Sequence, residues 1–167
     1  MRRWLAVVAV VLGGAHLAAP AEACEGTTAD PAIAAQAQAI GGALPLAYVG
    51  TFQWDGAPQG DPVAFTFTDC RIDGVILLNG TGQYLASGTT IDLLGRLAGG
   101  KIVLFEANPR DGRGGFVTDG RHHGSIAPDL SRICATWVTD VSGERGLLRL
   151  GFTAADAAAC DGSAPIS

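Results

Sequence analysis

From Tyr48 onward, short runs rich in β-branched and aromatic residues alternate with glycine, asparagine and aspartate at close intervals. The segment Val63-Ala-Phe-Thr-Phe-Thr68 alternates apolar with polar or small residues, which is the period of a strand with one buried face. Asp73-Gly74 and Asp119-Gly120 are turn signals, and Gly99-Gly100 lies between two strand-like runs as in a hairpin. No helical pattern of ten residues separates these runs. This disfavours a parallel βαβ arrangement and predicts an antiparallel meander.

Strand-like runs recur along most of the chain, and some neighbouring runs are expected to join into single bent strands. They cover residues 47–54, 62–69, 74–79, 81–86, 89–97, 101–107, 115–119, 122–127, 132–139 and 145–152. We predict a mainly β fold: a single antiparallel β-barrel, or a closely related sandwich, formed by a meander of about eight strands. Removing a leader of 23 residues from 167 leaves 144, which is the size of one domain.

A short N-terminal helix is predicted ahead of the strands, over residues 31–40. Asp30 is a good N-cap, Pro31 fits the first helical position, and Gly41-Gly42 is expected to stop the helix. One further helical turn is expected near 154–159. The predicted organisation is a signal peptide over 1–23, a helix and linker over 24–45, a barrel domain over 46–153 and a C-terminal tail over 154–167.

The first residues have the three parts of a secretory signal peptide. Arg2 and Arg3 form a positive n-region, nine apolar residues over 4–12 form the h-region, and Ala21-Glu22-Ala23 suits signal peptidase. Nine residues fall short of the roughly 20 that a membrane-spanning helix needs. The chain is therefore predicted to be exported, to the periplasm or the extracellular space. The alternative is a lipoprotein acylated at Cys24, although Glu22 fits that signal poorly.

Four cysteines remain after the leader: Cys24, Cys70, Cys134 and Cys160. An even count in an exported chain predicts two disulfides, with three connectivities open. We expect Cys24–Cys160, which would tie the two ends of the chain together, and Cys70–Cys134, which would cross the sheet. No pair has the C-x-x-C spacing of a zinc or redox site, so neither a metal nor another cofactor is expected.

Charge and motif content exclude several classes of function. Sixteen acidic residues against eleven basic ones give a net charge of −5, so the chain has no basic surface for nucleic acid or an anionic membrane. A hydrophobic content of 48% argues against disorder. The sequence contains no G-x-S-x-G, no H-E-x-x-H, no phosphate-binding loop and no dinucleotide fingerprint. We therefore expect a protein that is not an enzyme.

The candidate ligand-binding residues are three aromatic side chains and one carboxylate. Trp54, Tyr84 and Trp137 lie on or near separate predicted strands, and a barrel gathers inward-facing side chains from every strand. They would either line one cavity or simply fill the core. Glu106 shares a strand face with Ile102 and Leu104. That face points either into the barrel, which would place Glu106 at its mouth or wall, or outward, which would leave Glu106 solvated.

His122-His123 is the only histidine pair after the leader. Adjacent residues of a strand face opposite sides, so the two rings cannot readily bind one metal. One ring could act as a general base, because histidine titrates near neutral pH. The interpretation we favour is a pair of polar residues flanking a turn, since no third ligand lies at a recognisable spacing.

Short motifs in residues 80–150 follow a recognisable order. They are Gly82-Gln-Tyr84, Ile91-Asp-Leu-Leu-Gly95, Lys101-Ile-Val-Leu-Phe-Glu106, Gly115-Phe116, Gly124-Ser-Ile126, Cys134-Ala-Thr-Trp137 and Leu147-Leu-Arg-Leu150. This order resembles a diffuse group of small exported bacterial proteins that look like lipocalin- or avidin-like β-barrels. The chain departs from their pattern at Ala135, where they have glycine, and in its additional cysteines. The resemblance implies the barrel fold and transfers no activity.

Three functions are compatible with these features. The first is an exported, non-enzymatic binding protein that holds a small apolar or aromatic ligand in the barrel. The second is a protein-binding module, such as an inhibitor of an envelope hydrolase, that uses loops 55–62 and 108–115. The third is an enzyme that uses His122 or His123 with Glu106, which lacks a positioned nucleophile. We favour the first. The sequence does not identify the ligand, the protein partner or the oligomeric state.

Overall fold

The computed structural model describes residues 24–112 and 114–162. Eight antiparallel strands pair in chain order, and the last strand pairs with the first, so the sheet closes into a barrel. The strands are β1 (Leu46–Trp54), β2 (Asp61–Asp73), β3 (Val75–Tyr84), β4 (Thr89–Ala98), β5 (Lys101–Arg110), β6 (Gly120–Ile126), β7 (Arg132–Thr139) and β8 (Arg145–Gly151). The predicted mainly β, eight-stranded antiparallel fold is confirmed, as a closed barrel rather than a sandwich.

Two neighbouring predicted runs join into one strand, as expected, and one predicted strand is a loop. The runs 74–79 and 81–86 form one strand, β3, whose Gly80 lies so close to β2 that an added Cβ would be 2.0 Å from the Thr66 carbonyl oxygen. The run 115–119 is not a strand but part of the β5–β6 loop. Its apolar Phe116 packs on the ring of Tyr84, with ring centroids 4.8 Å apart, instead of pairing in the sheet.

Helix α1 (Pro31–Ala43) begins where the sequence predicts, because the Asp30 carboxylate accepts hydrogen bonds from the first-turn backbone N–H groups. The predicted stop at Gly41-Gly42 is wrong. The helix runs through both glycines, since Ile40 is fully buried in the core and Gly41 is also buried. It ends before Pro45, as expected from the steric restriction that proline places on the preceding residue.

The C-terminal segment forms α2 (Ala154–Ala158) and a short 3₁₀ helix, α3 (Ala159–Gly162). Thr153 and Asp156 form a capping box at the start of α2. This agrees with the predicted helical turn near 154–159. The predicted signal peptide lies outside the described residues, as do the last five positions of the predicted tail. No helix in the described part of the chain is long and apolar enough to cross a membrane.

Two disulfides are present, but both predicted pairings are wrong. Cys24 pairs with Cys70, and Cys134 pairs with Cys160. Cys70 lies in β2 and Cys134 in β7, which are not neighbours in the barrel, so a bond between them would have to cross it. Each terminal segment is instead joined to the strand it packs against: Glu25 forms backbone hydrogen bonds with β2, and α3 contacts β7. Two disulfides are typical of proteins from an oxidising compartment.

The two ends of the barrel differ in how they are filled. At the end where β1 starts, large aliphatic and aromatic side chains are fully or almost fully buried. They are Leu46, Phe67, Ile76, Leu97, Ile102, Ile133 and Leu150. Helix α1 leads into this end and adds Ile40 to the same core. The opposite end, where the β1–β2, β3–β4, β5–β6 and β7–β8 loops lie, is called the mouth below.

Candidate functional site

A cavity of about 370 Å³ opens at the mouth of the barrel. Its volume lies in the lower part of the range of about 300–1,000 Å³ that is typical of small-molecule sites. Five aromatic side chains line its wall: Phe52, Trp54, Tyr84, Phe116 and Trp137. Four polar side chains interrupt it: Asp61, Ser87, Thr89 and Glu106. The cavity is therefore an apolar chamber with a few polar groups.

All four sequence-predicted candidate residues line this one cavity. Trp54 lies at the rim, with 37% of its surface exposed, whereas Tyr84, Glu106 and Trp137 are buried. The two alternatives for the aromatic residues, core or cavity wall, do not exclude each other. Tyr84 and Trp137 belong to the hydrophobic core and also face the cavity.

Phe52 is a cavity residue that the sequence reasoning missed. Its ring contacts the rings of Trp54, Tyr84 and Trp137 edge-on, at centroid distances of 5.0, 5.9 and 6.0 Å. Its spacing from Trp54 could have indicated this role, because residues two apart in a strand face the same side. Phe52 is the centre of the aromatic cluster.

Inward-facing glycines leave room for these large rings. A Cβ added to Gly146 would lie 2.4 Å from the ring of Phe52, and one added to Gly120 would lie 2.5 Å from the ring of Trp137. Such distances are far below any real non-bonded carbon–carbon contact, so any larger residue at these positions would force the rings to move. In small barrels, small and large inward-facing residues often alternate so that the side chains fit the tapered interior.

Glu106 points into the barrel, together with Ile102 and Leu104. Its Oε1 atom accepts a hydrogen bond of 2.6 Å from the Tyr84 hydroxyl and lies 2.9 Å from Nε2 of His122. The side chain of Glu106 is only 3% exposed, and that of His122 is 0% exposed. Because the Tyr84 hydroxyl donates to Oε1, we assign Nε2 of His122 as the second donor to the same oxygen. Two strands thus hold the carboxylate from two sides.

The interpretation of the histidine pair as polar residues flanking a turn is wrong for His122. His122 lies within strand β6 rather than beside a turn, and the alternation of the strand buries His122 in the barrel and leaves His123 exposed outside. The two rings do face opposite sides, as predicted. Nδ1 of His122 is buried without a hydrogen-bond partner, which carries a desolvation cost of about 1–3 kcal/mol. The hydrogen bond between Nε2 of His122 and Glu106 offsets this desolvation cost.

Burial raises the pKa of Tyr84 well above its ordinary value, and the adjacent Glu106 raises it further through its charge and its hydrogen bond. Tyr84 is therefore a neutral hydroxyl donor throughout the physiological pH range. On the outer surface, hydrogen bonds from Asn108 and then Arg110 lower the pKa of Asp92, which lies outside the barrel. The ionised Asp92 has no part in the cavity.

The arrangement is suited to recognition: rigid aromatic walls surround a carboxylate held in one orientation. In the described ranges, no three His, Cys, Asp or Glu side chains are grouped closely enough to hold a metal ion. The resemblance of residues 80–150 to small exported barrels stays a prediction. The chain matches no protein-family model, no curated protein sequence and no solved structure.

Proposed function

We propose that this protein is a non-enzymatic binding protein that holds a small organic molecule with an apolar or aromatic body in the mouth cavity. The observation that carries the proposal is the convergence of five aromatic rings and one fixed carboxylate on a single chamber of about 370 Å³. They come from β1, β3, β5, β7 and the β5–β6 loop.

The energetics of such a site favour an apolar ligand body. Each Å² of apolar surface removed from water contributes about 25 cal/mol, and the aromatic walls offer such contact on several sides. The polar residues then fix the orientation of the ligand. Because Tyr84 and His122 already hold Glu106, little side-chain freedom remains to be lost when a ligand binds.

The first test is native mass spectrometry of the protein purified from its own cells, compared with denaturing mass spectrometry. We expect an additional mass of small-molecule size that is lost on denaturation. If the purified protein is bare, phenethyl alcohol serves as a neutral aromatic probe, and its binding is followed by tryptophan fluorescence. Two of the three tryptophans of the chain, Trp54 and Trp137, line the cavity. A bare mass, together with no binding of this probe or of the charged probes described below, refutes the proposal.

Matched variants locate the binding. Trp54→Ala removes a partly exposed ring from the rim of the cavity, and we expect it to weaken ligand retention. Phe152→Ala removes a ring that is 42% exposed and lies just after β8, outside the cavity-lining set, so it should retain the ligand. Equal loss of ligand in both variants would contradict binding in the mouth.

A further inference from the structure

We propose that the ligand is an organic cation, a protonated amine on an apolar or aromatic body, whose charged end contacts the free oxygen of Glu106. This inference rests on the proposed function, because it names the chemical class that the mouth cavity selects. It is carried by the charges and hydrogen bonds of the cavity wall.

Glu106 is the first observation. Both of its hydrogen bonds use Oε1, so Oε2 has no hydrogen bond from any residue that the structure describes. The side chain is nevertheless 97% buried and lines the cavity. Oε2 keeps some exposure towards the cavity, where a donor that carries a positive charge would form the strongest hydrogen bond to it. The unused oxygen therefore favours a ligand that brings an N–H donor.

The charge balance of the wall is the second observation. Asp61 adds another carboxylate at the rim, and the described lining residues include no lysine and no arginine. His122 donates to Glu106 from behind, and no atom of it is part of the wall. An anionic ligand would face two carboxylates without a described counter-charge in the wall. The charged groups of the described wall are therefore all acidic, which favours a cationic ligand.

The aromatic rings are the third observation. Trp54, Tyr84, Phe116 and Trp137 surround the same chamber as the carboxylate. Aromatic rings present a negative face, so a cation that lies over the face of one of these rings is attracted to the ring as well as to the carboxylate. A neutral apolar ligand would use the rings and leave Oε2 unsatisfied. An organic cation would use the rings, the free oxygen of Glu106 and the negative charge of the described wall together.

The test is isothermal titration calorimetry with three probes that share one body: phenethylammonium, phenethyl alcohol and hydrocinnamate. The protein is the full chain as purified, stripped of any bound molecule. We expect phenethylammonium to bind at least about tenfold more tightly than phenethyl alcohol, and hydrocinnamate to bind most weakly. Equal or tighter binding of the alcohol or the anion overturns the inference.

Two variants that each remove one negative charge separate the effect of the Glu106 carboxylate from the effect of the protein's overall charge. Glu106→Gln keeps the shape of the side chain and an oxygen that can accept from Tyr84, but it removes the charge. It should bring the ammonium to within about threefold of the alcohol. Asp92→Asn removes a carboxylate outside the barrel and should leave the order of the three probes unchanged. Survival of the preference in Glu106→Gln, or its loss in Asp92→Asn, overturns the inference.

The outcomes also distinguish this inference from the proposed function. If only the neutral probe binds, the cavity is a binding site and the cation preference alone fails. If none of the three probes binds and native mass spectrometry shows a bare chain, both proposals fail. The comparison of probes on the unchanged protein needs no variant, so the inference stays testable even if Glu106→Gln does not fold.

Discussion

Alkaline pH is expected to unfold this protein through its two tyrosines, Tyr48 and Tyr84, which are the only ones in the chain. Tyr84 donates its hydroxyl to Glu106 at the mouth, and Tyr48 donates to the Leu130 carbonyl oxygen at the other end. Burial raises both pKa values well above the ordinary value of about 10, and nearby acidic groups raise them further. Neither phenol should ionise while the barrel is intact.

The sign of the effect follows from proton linkage. Below pH 10 both tyrosines are protonated in the folded and the unfolded chain, so their contribution to stability is fully present. Above pH 10 the unfolded chain loses two protons that the folded chain keeps, and stability falls as pH rises towards the raised folded pKa values. The two tyrosines together should cost about 3 kcal/mol of unfolding free energy per pH unit. At pH 12 the loss is roughly 5 kcal/mol, which is comparable with the whole stability of many domains.

The measurement is a rapid pH jump that follows the near-ultraviolet absorbance of tyrosinate and the near-ultraviolet circular dichroism of the packed rings together. We expect no tyrosinate signal near pH 10 in the folded protein, and then simultaneous changes in both signals on unfolding. The chain in concentrated denaturant should titrate both phenols near pH 10. Tyr48→Phe should halve the dependence of stability on alkaline pH. Tyrosinate absorbance near pH 10 with unchanged circular dichroism would refute the reasoning.

Two further predictions test the packing. Replacing Cys134 and Cys160 by serine should lower the unfolding free energy by about 3–4 kcal/mol, because the disulfide closes a loop with a separation of 26 residues. Urea denaturation measures this loss, and a loss below about 1 kcal/mol would contradict the prediction. Gly146→Ala should destabilise the barrel by about 1–3 kcal/mol, because its Cβ would meet an aromatic ring at 2.4 Å. Gly42→Ala is its control: the added Cβ meets nothing within 4 Å inside a helix, so a gain of about 0.5–1 kcal/mol is expected. Thermal or urea unfolding of the two glycine variants should therefore give changes of opposite sign.

The strands could be predicted because their signal is local. Alternation with a period of two follows from the geometry of each strand, and β7 begins and ends at the predicted residues 132 and 139. Asp73-Gly74 and Gly99-Gly100 mark the β2–β3 and β4–β5 hairpins for the same reason, whereas the turn predicted at Asp119-Gly120 is wrong, since Gly120 is the first residue of β6. Run 115–119 has strand-like composition and still forms a loop, in which the partly buried ring of Phe116 packs on Tyr84 at the barrel mouth.

The wrong predictions share a physical cause, which is contact between residues that are distant in the chain. The disulfide partners depend on which strand each terminal segment packs against, and the spacing of cysteines carries no such information. Helix α1 continues through Gly41-Gly42 because Ile40 docks in the core, and burial of that side chain outweighs the low helix propensity of glycine. Helix propensity predicts the end of a helix poorly when tertiary packing opposes it.

The sequence by itself determined that this chain forms an antiparallel meander, because the alternation of apolar and polar residues and the turn residues are local features of the sequence. It also narrowed the candidate site to Trp54, Tyr84, Glu106 and Trp137. It left open which face of β5 points inward, since both faces carry apolar side chains. Closure of the barrel decided that question: only it turns Glu106 inward and brings His122 from β6 and Tyr84 from β3 onto one carboxylate oxygen. Contacts across a closed sheet depend on strand order and register, and no single segment encodes these.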